Sequence, residues 1–138
     1  MGLGFGTDGA CSNNDLNLFL EMRQGSLLAK GRLYNPLAIP AEQALTMATR
    51  DAFSYLGFPQ AGVLQKGNLA DFILLDCKQP HFLPPYDLIS HLVYSAQGSD
   101  VQSVIINGKI IMEKREMKTL DTERIRFECY NRFPRILA

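Results

Sequence analysis

Three stretches of this 138-residue chain predict an α/β fold. In the first, Gly4-Phe5-Gly6-Thr7-Asp8-Gly9-Ala10-Cys11-Ser12-Asn13-Asn14, a short apolar strand runs into a carboxylate just ahead of a helix. The second, Asp15 to Leu56, carries apolar residues at helical spacing, and the third begins at Gly62, where short apolar runs and turn residues take over. Helices therefore fill the first half and strands the second, with the change between Gly57 and Gly62.

Taken in order, the glycines around Asp8 let the backbone turn sharply and let a ligand come close. Ser12, Asn13 and Asn14 read as helix caps, since their side-chain oxygens can accept from first-turn amides. Asp8 lies too far ahead for that, which makes it the functional candidate. Leu16, Phe19, Leu20, Leu27 and Leu28 recur on one face and predict an amphipathic helix from Asp15 to about Lys30. Asn35-Pro36 and Pro40 mark a loop. Ala41 to Leu56 predicts a second helix, with proline at its start and Gly57 past its end.

Gly62 and Gly67 bracket a turn, and Phe72-Ile73-Leu74-Leu75, between Asp71 and Asp76, predicts a buried strand. Pro80, Pro84 and Pro85 interrupt the chain, and Asp87 caps a short helix through about Ala96. Val101 to Ile106, Asn107-Gly108 and Lys109 to Met112 predict a β-hairpin, because Asn-Gly supplies the positive φ angles of a two-residue turn. Asp121 opens a last helix that Pro134 ends or kinks.

Composition narrows the function classes. Hydrophobic residues make up 46% of the chain, which describes a globular core, and the formal net charge of zero gives no reason to expect nucleic acid or an anionic membrane as partner. No apolar run nears the roughly 18 residues of a spanning helix, and the start lacks a basic segment followed by an apolar one. A cytoplasmic location is the expectation. Cys11, Cys77 and Cys129 fit reduced thiols better than a disulfide framework. Cys11, beside Asp8, is a candidate reactive thiol but reads first as a small buried filler.

The opening segment, together with Asp15-Leu16-Asn17-Leu18-Phe19-Leu20-Glu21-Met22-Arg23, Ala44-Leu45-Thr46-Met47-Ala48-Thr49-Arg50, Leu56-Gly57, Gly62 to Asp76 and His91-Leu92-Val93-Tyr94-Ser95-Ala96, resembles the metal-dependent amidohydrolase superfamily. The nearest branch holds the methylthioadenosine/S-adenosylhomocysteine deaminases and the triazine chlorohydrolases. The Gly-Thr-Asp-Gly and Glu-Met-Arg blocks are specific in combination, whereas the Ala-Asp block with its apolar strand is shared widely. One departure is Asp51-Ala52-Phe53, where the family usually has Asn-Gly-Ala; a bulky Phe53 is expected to alter local helix packing but not the chemistry.

The resemblance implies that residues 1–60 are the last strand and outer helices of a (β/α)8 barrel, and residues 61–138 part of a small β-sandwich with a terminal helix. A complete barrel needs roughly 250 residues, so the chain reads as a carboxyl-terminal portion whose amino-terminal half is a required partner. It also implies that Asp8 binds a divalent metal, zinc or iron, and relays a proton from water to the leaving group. Zinc lowers the pKa of bound water toward about 7, and a neighbouring carboxylate can pass its proton onward. Hydrolysis of a C–N or C–Cl bond on a small heterocycle, a purine nucleoside above all, is the implied reaction.

A catalytic zinc needs about three protein ligands plus water. In the family the others are a His-x-His pair, later single histidines and a glutamate partner. His81 and His91 are too far apart for such a pair and read as structural, His81 in a loop and His91 on the short helix. Glu21 and Arg23 read as helix-fixing ion pairs, and Lys114-Arg115 as a solvated turn. The alternative to an enzyme is a catalytically incomplete remnant acting as an interaction or oligomerisation module. Unpaired edges at the opening strand and at Phe72 predict a homo-oligomer in either case.

Overall fold

The computed structural model describes residues 3–136. Among these residues five helices and one four-stranded sheet build a mixed α/β structure: α1 (Leu18–Leu33), α2 (Ala41–Ala48), α3 (Arg50–Tyr55), β1 (Phe72–Leu75), α4 (Leu88–Tyr94), β2 (Val101–Ile106), β3 (Lys109–Glu113), β4 (Glu116–Met117) and α5 (Thr122–Ile136). Single 3₁₀ turns at Pro80–Phe82 and Gly98–Asp100 flank α4.

Helices α1, α2 and α4 form the core. Met22, Ala44, Ala48 and Val93 are buried together, with Phe5, Phe19, Ile39, Ala41, Leu45 and Tyr94 packed around them. The buried line of α1 is Met22 and Ser26 rather than the leucine stripe expected from the sequence; Leu16, Leu27 and Leu28 are exposed. Helix α1 has apolar residues on more than one face, so periodicity alone does not single out the face that meets α2 and α4. A polar knot closes this layer: Lys30 Nζ donates to the carbonyls of Ala38 and Ile39 at 2.8 Å, to Ser26 Oγ at 2.8 Å and to Tyr94 Oη at 3.1 Å. Burial pushes the Tyr94 hydroxyl up, but the Ser26 and Lys30 hydrogen bonds and the lysine charge outweigh it and leave its pKa below the ordinary value.

The second helix is two helices. Thr49 breaks it with φ −126° and ψ −101°, its hydroxyl donating to the Leu45 carbonyl at 2.7 Å. Gly62 packs against this break, where a Cβ would come within 2.8 Å of the Arg50 nitrogen at a backbone φ of +76°. The break is thus a tertiary feature, packed against a loop thirteen residues on in the numbering.

The sheet is antiparallel throughout, in the order β1-β2-β3-β4. Phe72 faces Ile105 and Ile73 faces Val104, with a bulge between Leu74 and Leu75. The hairpin forms as expected, Ile106 opposite Lys109, with positive φ at Asn107 (49°) and Gly108 (71°). Lys114 and Arg115 also adopt positive φ and turn β3 into β4, a short strand not foreseen. Arg115 is more than a solvated turn residue: its guanidinium donates to the carbonyls of Ser99 and Val101.

Two strand expectations fail. Leu3 to Gly6 forms no strand, because among the described residues no neighbour pairs with it in a ladder. Its anchor is instead the Phe5 amide, which donates to the Met47 carbonyl at 3.2 Å. Strand β1 is not buried, since Ile73 and Leu74, which point to opposite faces of the sheet, are 43% and 53% exposed. Helix α5 runs through Pro134 to Ile136, so the proline falls in its last turn and does not close it earlier. Ile125, Phe127, Tyr130 and Phe133 on this helix are exposed.

Candidate active site

Asp8 sits on the loop that leads from the opening segment to α1. Phe5 anchors that loop, its ring lying where a Cβ on Gly25 would be, so α1 accepts the segment only because residue 25 is glycine. Gly4 in turn packs against Ala52, with 3.2 Å between an added Cβ and that of Ala52. The sequence carried this signal as an isolated glycine inside a helical pattern, though not its meaning. Phe53, the departure noted above, lines a cavity of about 510 Å³ between helices and sheet together with Phe19, Leu45, Phe72 and Leu92.

Asp8 is exposed and in the left-handed region, φ +59°, which Asp visits more readily than most residues because its short polar side chain bonds locally. Here Oδ1 accepts from the Gly9 amide at 2.7 Å. Oδ2 makes no hydrogen bond among the described residues, so one carboxylate oxygen is available to a ligand. The Thr7 hydroxyl donates to the Asp8 carbonyl at 3.2 Å.

The residues expected to cap the helix do other work. The cap of α1 is Asn17, whose Oδ1 accepts from the Phe19 amide at 3.1 Å. Ser12 Oγ reaches the Gly9 carbonyl at 3.4 Å, and Asn14 is exposed. Asn13 Nδ2 donates to the Thr7 carbonyl and to Glu21 Oε1, each at 2.9 Å. Glu21 therefore holds the Asp8 loop and makes no ion pair among the described residues, and neither does Arg23, which is exposed. Cys11 is exposed rather than a buried filler, as are Cys77 and Cys129.

Neither histidine joins Asp8. His81 Nε2 lies 2.8 Å from Oδ2 of Asp100, a residue only 4% exposed whose same oxygen accepts from the Gln97 amide. His91 Nε2 lies 3.0 Å from the Pro84 carbonyl. Both bonds tie the segment around α4 together, as their structural reading requires. Among the described residues no group of three or more His, Cys, Asp or Glu side chains could hold a metal ion. A carboxylate such as that of Asp8 is chemically able to supply one oxygen to a divalent ion, and no second ligating side chain gathers beside it among the described residues. No described helix is long and apolar enough to cross a membrane.

The chain is 51% identical over 130 residues to the 5-methylthioadenosine/S-adenosylhomocysteine deaminase of Dictyoglomus turgidum, covering 94% of this chain and 30% of that protein. The crystal structure of an adenosine deaminase from Xanthomonas campestris with bound zinc superposes with a TM-score of 0.93 at 33% identity, covering 97% of this chain and 31% of the other. Atrazine chlorohydrolase from Arthrobacter aurescens TC1, complexed with zinc, superposes with a TM-score of 0.79 at 26% identity, over 95% of this chain and 29% of that one. The chain thus spans about 30% of the length of the curated relatives it matches. The model of the Amidohydrolase family matches residues 2–111, from ahead of Asp8 to within β3, and the chain belongs to that family.

Proposed function

We propose that this chain is the carboxyl-terminal part of an amidohydrolase that deaminates a purine nucleoside of the methylthioadenosine or S-adenosylhomocysteine type, with C–Cl hydrolysis of a related heterocycle as the neighbouring chemistry. The observation that carries the proposal is Asp8 itself, exposed on a glycine-flanked loop ahead of α1 with Oδ2 unengaged. Similarity to named deaminases at about half identity supports it.

In this reading residues 1–60 are the last strand and outer helices of a (β/α)8 barrel, and residues 61–138 the tail of a composite sandwich with its terminal helix. The opening segment, which has no strand partner among the described residues, and the exposed apolar residues of β1 both support a reading of this kind. A divalent ion, zinc by analogy with the similar structures, would supply water acidic near pH 7. Asp8 would contribute one ligand oxygen, take a proton at the carboxylate and deliver it to the departing amine.

The test is turnover of methylthioadenosine by the complete enzyme carrying this chain, compared with its Asp8→Asn variant. The expected result is loss of at least about a hundredfold in kcat, the scale of a general acid–base contribution, with an unchanged circular dichroism spectrum. Retained turnover would remove Asp8 from the mechanism. A non-catalytic assembly module is the second reading, favoured by the absence of a metal-holding cluster among the described residues; it expects no turnover in any context.

A further inference from the structure

We infer that Asn13 is a positioning residue for Asp8, acting with Glu21 as a latch that fixes the carboxylate-bearing turn to helix α1. The inference rests on the reading of Asp8 as the reacting carboxylate and adds residues that no similarity assigns.

Between Asp8 and Leu16, Asn13 is the one residue that is not exposed. Both of its amide hydrogens are used across different pieces of structure, one on the carbonyl of Thr7, immediately before Asp8, and one on Glu21 Oε1 in the first turn of α1. Its own oxygen accepts from the Asp15 amide at 3.1 Å, and its backbone amide, like that of Ser12, donates to the Gly9 carbonyl. Glu21 precedes Met22, which is 3% exposed in the α1–α2–α4 core. A continuous line of support therefore runs from the core through Glu21 and Asn13 to the peptide that leads into Asp8. The Asn13–Glu21 bond is charge-assisted, hence short and directional. Asp8 holds a left-handed φ, and sparsely populated backbone states persist only where surrounding contacts over-determine them.

The bland role for Asn13 is an Asx turn that starts the approach to α1, and it uses only the side-chain oxygen. Latch and turn separate chemically. Asn13→Asp keeps the oxygen that accepts from Asp15 but loses both donors and sets a second carboxylate beside Glu21. Glu21→Gln keeps an acceptor oxygen for Asn13, whereas Glu21→Ala does not.

The experiment is amide hydrogen exchange on the full 138-residue chain, following Ser12 and Asn13, with the α1 amides near Met22 as the control for folding. Exchange in the loop should quicken about tenfold in Asn13→Asp, Asn13→Ala and Glu21→Ala, the effect of losing one charge-assisted hydrogen bond. It should stay at the wild-type rate in Glu21→Gln, and α1 should be unmoved. If the Asn13 variants lose the fold, the Glu21→Ala and Glu21→Gln pair decides alone. A wild-type rate in Asn13→Asp would reduce Asn13 to an Asx turn, and equal loosening in both Glu21 variants would remove Glu21; either overturns the latch. In the complete enzyme, Glu21→Ala should lower kcat with KM little changed, and Glu21→Gln should restore kcat, because a misplaced group costs turnover before it costs binding. An active Asp8→Asn enzyme overturns the reading of Asp8, and with it the positioning role, even where the loop loosens as expected.

Discussion

At the scale of single residues, side chains that look like caps or pairs in sequence serve as cross-links in space. Lys30 is an ordinary solvent-facing charge in one dimension, yet its ammonium ties Ala38, Ile39, Ser26 and Tyr94 together. Lys30→Met keeps most of the stem but leaves the Ala38 carbonyl without this donor, so a loss of roughly 1–3 kcal/mol is expected, read as a lower urea midpoint with an unchanged slope. Asp8 stood out in the sequence because a carboxylate among glycines ahead of a helix has no capping role, and in the structure it is exposed and caps nothing. Asn13 was legible only as a cap, because its bonds to Thr7 and Glu21 depend on where the loop folds back, and no local pattern encodes that. The histidines were legible as structural, and the bonds of His81 to Asp100 and of His91 to Pro84 bear this out.

At the scale of elements, local chemistry served where it is self-contained and failed where a distant segment decides. The Asn107-Gly108 hairpin and the Asp87-capped helix are set by neighbours in sequence, and both form. The break at Thr49 is set by Gly62 and was invisible in the Ala41–Leu56 pattern. Gly62→Ala should therefore destabilise the fold by more than the roughly 1–2 kcal/mol of a left-handed non-glycine residue, because the new methyl also meets the Arg50 backbone; a thermal melt measures this. At α4, Asp87 accepts from Ile89 and from Ser90 Oγ, and the Ser90 hydroxyl foremost holds its carboxyl below the ordinary carboxylate range. A depressed folded pKa contributes stability above the unfolded value of about 3.9 that fades as pH falls through the folded one. Wild type should therefore lose its advantage over Asp87→Ala in melts taken below about pH 4.

At the scale of the molecule, the apolar residues left uncovered dominate. Ile73, Leu74, Ile106 and Ile110 on the sheet and Ile125, Phe127, Tyr130 and Phe133 on α5 are all exposed, and among the described residues β1 is an edge strand with one side unpaired. The isolated chain should scatter light as an oligomer or aggregate above its 15.4 kDa monomer mass; a sharp monomer would contradict this. The resemblance to a longer family led the sequence reading to expect exposed edges, while which apolar residues stay exposed needed three dimensions. Val93, on α4, has a further consequence. It completes a core whose other members, Met22, Ala44 and Ala48, lie at least forty-five positions earlier in the numbering. During synthesis the first three helices emerge with that core still open, and it cannot shut until α4 has left the ribosome. Folding therefore does not divide near residue 60: a nascent chain halted between Gly57 and Asp87 would present chaperones with an unfinished helical layer.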